Sequence, residues 1–116
     1  MNSATHNVPA HPGLARFTLY VKALAWTRQI LRLPIRGCLR DQLHRAVVSV
    51  VLNIAEGGGQ TSRGAKTRHY QIAWASLYEV SAVLDLMAAG ISTEPLPEEL
   101  ISGLREIDAM LYAIIR

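Results

Sequence analysis

Apolar side chains recur along this chain at helical rather than strand intervals. From Leu39 to Gly59 the residues Leu39, Leu43, Val47, Val50 and Ile54 step by 4, 4, 3 and 4, which lines one face of an α-helix. Ala46, Val48, Val51, Leu52 and Ala55 lie off that stripe, so the helix is apolar over most of its circumference and needs cover on more than one side. The remaining polar line is narrow: Gln42, Arg45, Ser49, Asn53 and Glu56. A buried-strand reading of the valine cluster fails on length, because Cys38 to Glu56 runs without Gly or Pro and strands average only about 5–6 residues.

Three further helices flank this central one. Between about Leu14 and Leu33, Phe17, Val21, Leu24 and Leu31 line one face and Leu19, Ala23, Trp26, Ile30 and Leu33 another. Pro34 and Gly37 then break the chain, and so short a connection favours antiparallel neighbours. A third helix from about Arg63 to Ala89 carries the seam Ala73, Leu77, Val80, Leu84 and Met87, beside a second line of Lys66, Tyr70, Trp74 and Tyr78. Gly90 stops it, and Pro95 and Pro97 punctuate the next loop. Glu98 and Glu99 then enter the first turn of a fourth helix with the stripe Leu100, Leu104, Ile107, Leu111 and Ile114. The pattern predicts an all-α, antiparallel up-down four-helix bundle over residues 13–116, preceded by a flexible tail at 1–12 that holds two prolines and two histidines and shows no apolar period. Gly57, Gly58 and Gly59 are expected to end the central helix through left-handed backbone freedom, with Thr61 or Ser62 capping the next.

The central stretch carries a resemblance. Leu39, Gln42, Leu43, Arg45, Ala46, Ser49, Asn53, Ile54, Ala55, Glu56 and Gly57, followed by Gly59, Ser62, Arg68, Ile72, Ala73, Ser76 and Glu79, resemble the four-helix-bundle proteins encoded in intervening sequences of bacterial 23S ribosomal RNA genes. Against that pattern Gln60 stands for an Arg, Ala65 for an acid, His69 for an aromatic and Ala75 for a Gly; Trp74 takes a site often polar or basic. The likeness implies an up-down bundle that assembles as a cyclic homo-oligomer, commonly a pentamer, with no established enzymatic activity. It makes Gln42, Arg45, Ser49, Asn53, Glu56 and Gly57 a structural motif. The accessory protein of diversity-generating retroelements is more distantly similar in architecture and binds nucleic acid and a reverse transcriptase; likeness of fold alone does not transfer that function.

Composition adds limits. With 116 residues the chain makes one domain. Cys38 is alone, which excludes an intrachain disulfide and a cysteine-built zinc site. No signal-peptide pattern and no uninterrupted apolar run of about 20 residues is present, so a cytoplasmic protein with no membrane partner is expected. Net charge is +3, but residues 1–75 balance at +8 and residues 76–116 at −5. Such polarity steers an acidic polymer to one side or lets subunits attract one another.

Candidate chemistry is sparse. Gly59 to Thr67 misses the P-loop pattern because Ala65 intrudes before Lys66, and a helix rather than a strand precedes it. The four histidines, His6, His11, His44 and His69, show no metal-ligand spacing with an acid or thiol, and Cys38 has no identifiable base. No catalytic residue, metal or cofactor is therefore assigned, and a non-enzymatic binding or scaffold module is expected. Arg40, Arg63, Lys66 and Arg68 are the candidate contacts to an RNA or DNA partner. Tyr70, Trp74 and Tyr78 are the candidate subunit interface, since aromatics with polar tips are favoured where surfaces meet; a protein partner is the alternative to nucleic acid. Glu56, unfavourable in the last turn of a helix, is expected to be held by amides of the next helix or by Arg63, and Asn53 to be a buried or half-buried hydrogen-bonding residue.

Overall fold

The apolar stripes become the inward faces of four long helices. The computed structural model describes residues 8–91 and 95–116, and among these the chain is helical with no strand. A short α1 (Pro12–Ala15) precedes α2 (Thr18–Ile30), α3 (Gly37–Gly59), α4 (Arg63–Leu86) and α5 (Glu98–Ile115), and a wider π-type turn, Met87–Ile91, extends α4. Gly37 and Gly90 sit at φ 74° and 128°, conformations that disfavour any residue with a Cβ, and so they mark the start of α3 and the end of the π-type turn.

Side-chain pairs set the topology. Ser49 meets Ser76 and Asn53 meets His69 across α3 and α4; Trp74 meets Asp108 across α4 and α5; Trp26 reaches the Leu100 carbonyl and Lys22 reaches Glu106 across α2 and α5. Across α3/α4 and α2/α5 one partner's number rises as the other's falls, and Arg63 on the Arg116 carbonyl against Trp74 on Asp108 repeats this across α4/α5, so these neighbours are antiparallel. The ring of contacts α2–α3–α4–α5–α2 closes, and the 23 Å short dimension is two helices thick at about 10 Å per helix. Leu43, Val47, Val50, Ile54, Ala73, Leu77, Val80 and Leu84, the predicted centre, are all buried, together with Ile30, Leu100, Ile107 and Leu111.

Two expectations are corrected. The first helix is not continuous from Leu14 to Leu33: it breaks at Phe17, which takes extended φ/ψ as the N-cap of α2, and it stops at Ile30. That break lets the Phe17 ring lie against the last turn of α3 and edge-on to Tyr70, at 6.4 Å between centroids. α1 begins at Pro12, the last residue of the expected tail, whose first seven residues lie outside the described ones. Gly57 to Gly59 do not turn left-handed but complete α3, and Gln60 ends it. Ser62, not Thr61, caps α4 by accepting from the Ala65 amide.

By length and composition Arg63–Gly90 is apolar enough to cross a bilayer, with mean hydropathy 1.4 over 18 residues, a property obscured in the sequence by its interspersed charges. Its inward residues, Tyr70, Ala73, Leu77, Val80, Val83 and Leu84, are the core of the bundle.

Candidate functional site

The polar line of α3 is a fastening to α4. Asn53 donates from Nδ2 to the Ser49 carbonyl at 2.9 Å and to Ser49 Oγ at 3.3 Å, which turns its Oδ1 toward His69 Nδ1, 3.1 Å away. Glu56 Oε2 lies 3.5 Å from the same ring nitrogen. Both neighbours of Nδ1 are acceptors, so Nδ1 carries the proton in the neutral ring. Ser49 and Ser76 share a hydrogen bond of 2.7 Å, and the seam thus runs unbroken from Glu56 through His69, Asn53 and Ser49 to Ser76. Glu56 is held by His69, not by Arg63 or the amides of α4, because nearly two turns into α4 the His69 ring faces α3 while Arg63 points to the Arg116 carbonyl at 3.4 Å. His69 was legible in the sequence only as a departure from an aromatic position; its spacing from Asn53, across a corner, gave no signal.

Gly57 belongs to this fastening for a different reason. A Cβ there would stand 2.3 Å from Tyr70 Cε1, so only hydrogen leaves room for the ring. Tyr70 is accordingly buried, 4% exposed, and burial pushes its phenol above the ordinary value. This removes Tyr70 from the expected interface line. Trp74 and Tyr78 remain outside the core, and α5 adds Tyr112, which the sequence reading missed: Trp74 stands 5.6 Å from the Tyr78 ring and 5.7 Å from Tyr112, donates to Asp108 at 2.7 Å, and Arg116 covers Tyr112 at 5.2 Å. Tyr112 falls one turn beyond Asp108, a relation visible only once α4 and α5 are in register. A second apolar surface consists of Val48 and Leu52 on α3 and Ile72 on α4, all exposed.

The four basic candidates do not converge. Arg63, Lys66 and Arg68 sit on the first turns of α4, whereas Arg40 lies near the start of α3, about 25 Å away along that helix at roughly 1.5 Å per residue. One rim containing all four is therefore excluded by the length of α3. Arg16 and Arg116 join the first three at the same end, with Glu56 the acid there among the described residues. At the other end Arg32, Arg36 and Arg40 share space with Asp41, Asp85, Glu98 and Glu99. Lys66 does more than carry charge: its Nζ donates to the Gly57 and Gly58 carbonyls at 3.2 and 3.4 Å, closing the C-terminus of α3. Gln42 and Arg45 are exposed, and Cys38 is a free, exposed thiol. Among the described residues no group of three or more His, Cys, Asp or Glu has metal-binding geometry.

An antiparallel bundle closed by a motif-bearing α3/α4 hairpin defines the class of protein. The chain belongs to the 23S rRNA-intervening sequence protein family, whose model matches residues 18–113. No curated protein and no solved structure matches the chain significantly.

Proposed function

We propose that the protein is a non-enzymatic subunit of a cyclic homo-oligomer, five subunits being the number its family resemblance implies, that binds nucleic acid at its positive end. The observation that carries the assembly is the pair of separate apolar surfaces. Leu52 is 52% and Tyr78 62% exposed, and Ile72 and Tyr78 lie about 120° apart around α4 at roughly 100° per residue. Two unlike patches suit a heterologous interface, in which one surface of each subunit meets the other surface of the next and the rotation closes a ring. The absence of catalysis is supported by the seam: His69 spends Nδ1 on Asn53 and Glu56, and Ser49 bonds to Ser76 and Asn53 rather than to the imidazole.

Light scattering on wild type and on Leu52→Glu and Tyr78→Glu tests the assembly. Each variant should be a helical monomer, and mixing the two should give a one-to-one dimer, because each retains the patch the other lacks. A monomeric wild type at micromolar concentration, or no dimer on mixing, refutes the heterologous ring.

The nucleic-acid role rests on Arg16, Arg63, Lys66, Arg68 and Arg116 standing at one end against Glu56, a cluster that a ring would repeat around its axis. Binding then comes from phosphates, with little sequence preference, and log affinity falls against log salt by about 0.9 per neutralised phosphate for duplex DNA and about 0.7 for single strands. Arg63→Glu with Arg68→Glu should weaken it without altering helicity or subunit number; Lys66 is left intact because it caps α3. Absence of wild-type binding to RNA and DNA at low salt removes this role and leaves the protein-protein scaffold.

A further inference from the structure

Beside the α3/α4 corner lies a groove of about 390 Å³ whose lining includes His11, Phe17, Gly59, Lys66 and Tyr70. Its size falls within the roughly 300–1,000 Å³ of small-molecule sites. Phe17 supplies a flat apolar wall, and the buried Tyr70 ring, set edge to face against it, closes the floor. Two donors meet them. Lys66 Nζ gives two of its hydrogens to the Gly57 and Gly58 carbonyls, and an ammonium has three. His11 Nδ1 accepts from the Gly13 amide at 2.9 Å, so the proton of the neutral ring is on Nε2, a second donor.

Gly59 supplies an independent observation. Its φ is not positive, and a Cβ at this position would meet no atom of the chain within 4 Å. Gly57 is explained by Tyr70 and Gly58 by the Phe17 ring 3.0 Å from its added Cβ; neither backbone nor packing within the chain explains Gly59 or Gly64, helical glycines that disfavour the helix relative to Ala, and of these two Gly59 lines the groove. A helical glycine on a groove wall fits a ligand that approaches the backbone.

We propose that this groove binds a small molecule with a planar aromatic body and one carboxylate, the body on Phe17, over the buried Tyr70 and beside the Gly59 backbone, and the carboxylate on Lys66 and His11 Nε2. The positive end of the bundle, with Arg16 and Arg63 nearby, favours the anion over a neutral analogue. This site stands whether or not nucleic acid is bound.

The probe is 2-naphthoate, titrated by NMR against the full chain, with 2-naphthamide as its neutral match. Naphthoate should shift the Phe17 and Tyr70 ring resonances saturably and show contacts to both. The amide should bind about tenfold more weakly, since charge-assisted hydrogen bonds are roughly twice as strong as neutral ones. Gly59→Leu, which replaces glycine by a better helix former and fills the groove, should keep the melting temperature at or above wild type and abolish naphthoate binding. Naphthoate without effect on Phe17 and Tyr70 at millimolar concentration, equal binding of acid and amide, or a folded Gly59→Leu that binds like wild type would each overturn the site.

Discussion

Replacing Gly57 by Ala tests whether the glycines of the α3 corner serve the backbone or the packing. Gly57 has right-handed helical backbone, so if helix propensity alone mattered, Ala would stabilise by about 1 kcal/mol. Instead the added Cβ would lie 2.3, 2.7 and 2.9 Å from Cε1, Cδ1 and Cζ of Tyr70, well inside van der Waals contact. The ring has little freedom to retreat, being buried and braced by Phe17. Overpacking of this kind costs about 1–3 kcal/mol; set against the propensity gain of about 1 kcal/mol, a net loss of up to about 2 kcal/mol is expected. Gly59→Ala is the internal control. With nothing within 4 Å of its Cβ, it should stabilise by roughly 0.5–1 kcal/mol. Urea denaturation followed by circular dichroism reads both as shifts of the midpoint at constant slope, and Gly57→Ala should cost less in a Tyr70→Leu background, because the two residues are coupled. A Gly57→Ala protein stabilised as much as Gly59→Ala would refute the packing argument; equal losses at Gly57 and Gly59 would instead point to left-handed backbone at both.

Val50→Asp or Leu77→Asp should abolish cooperative thermal unfolding, since both sites are at most 1% exposed and an unpaired buried charge costs several kcal/mol against a total of about 5–15. Asn53→Ala should cost about 1 kcal/mol of stability by releasing the Ser49 carbonyl and His69 contacts, and a further His69→Ala should then cost less than it does alone, as a double-mutant cycle would show. The raised phenol of Tyr70 makes the folded chain hold a proton that the unfolded chain releases near pH 10, so this contribution is intact below about pH 10 and is lost as pH rises further. Urea midpoints at pH 8 and pH 10.5 should therefore fall less for Tyr70→Phe than for wild type.

Much of the architecture follows from local rules acting along the chain. The steps of three and four at Leu43, Val47, Val50 and Ile54, and at Ala73, Leu77, Val80 and Leu84, decide both helix and inward face, because an amphipathic helix has one way to bury its stripe; every one of these residues is in the core. Short connections make the neighbours antiparallel for the same local reason. The family motif was equally legible, but not what its residues do. Ser49, Asn53 and Glu56 acquire partners only from α4, and His69 becomes the hub of the seam because an antiparallel hairpin places it opposite Asn53, which no spacing within one helix reveals. Tyr70 and Tyr78 are both tyrosines on one helix, eight residues apart; the first is buried over Gly57 and the second exposed beside Tyr112, and the drift of an α-helix away from a four-residue repeat separates them. Arg40 and Arg63 read as one basic set in the sequence, yet the rigid length of α3 holds them at opposite ends. Periodicity is a property of a single helix and is written in it; proximity between helices depends on register and rotation, which only packing against a neighbour settles.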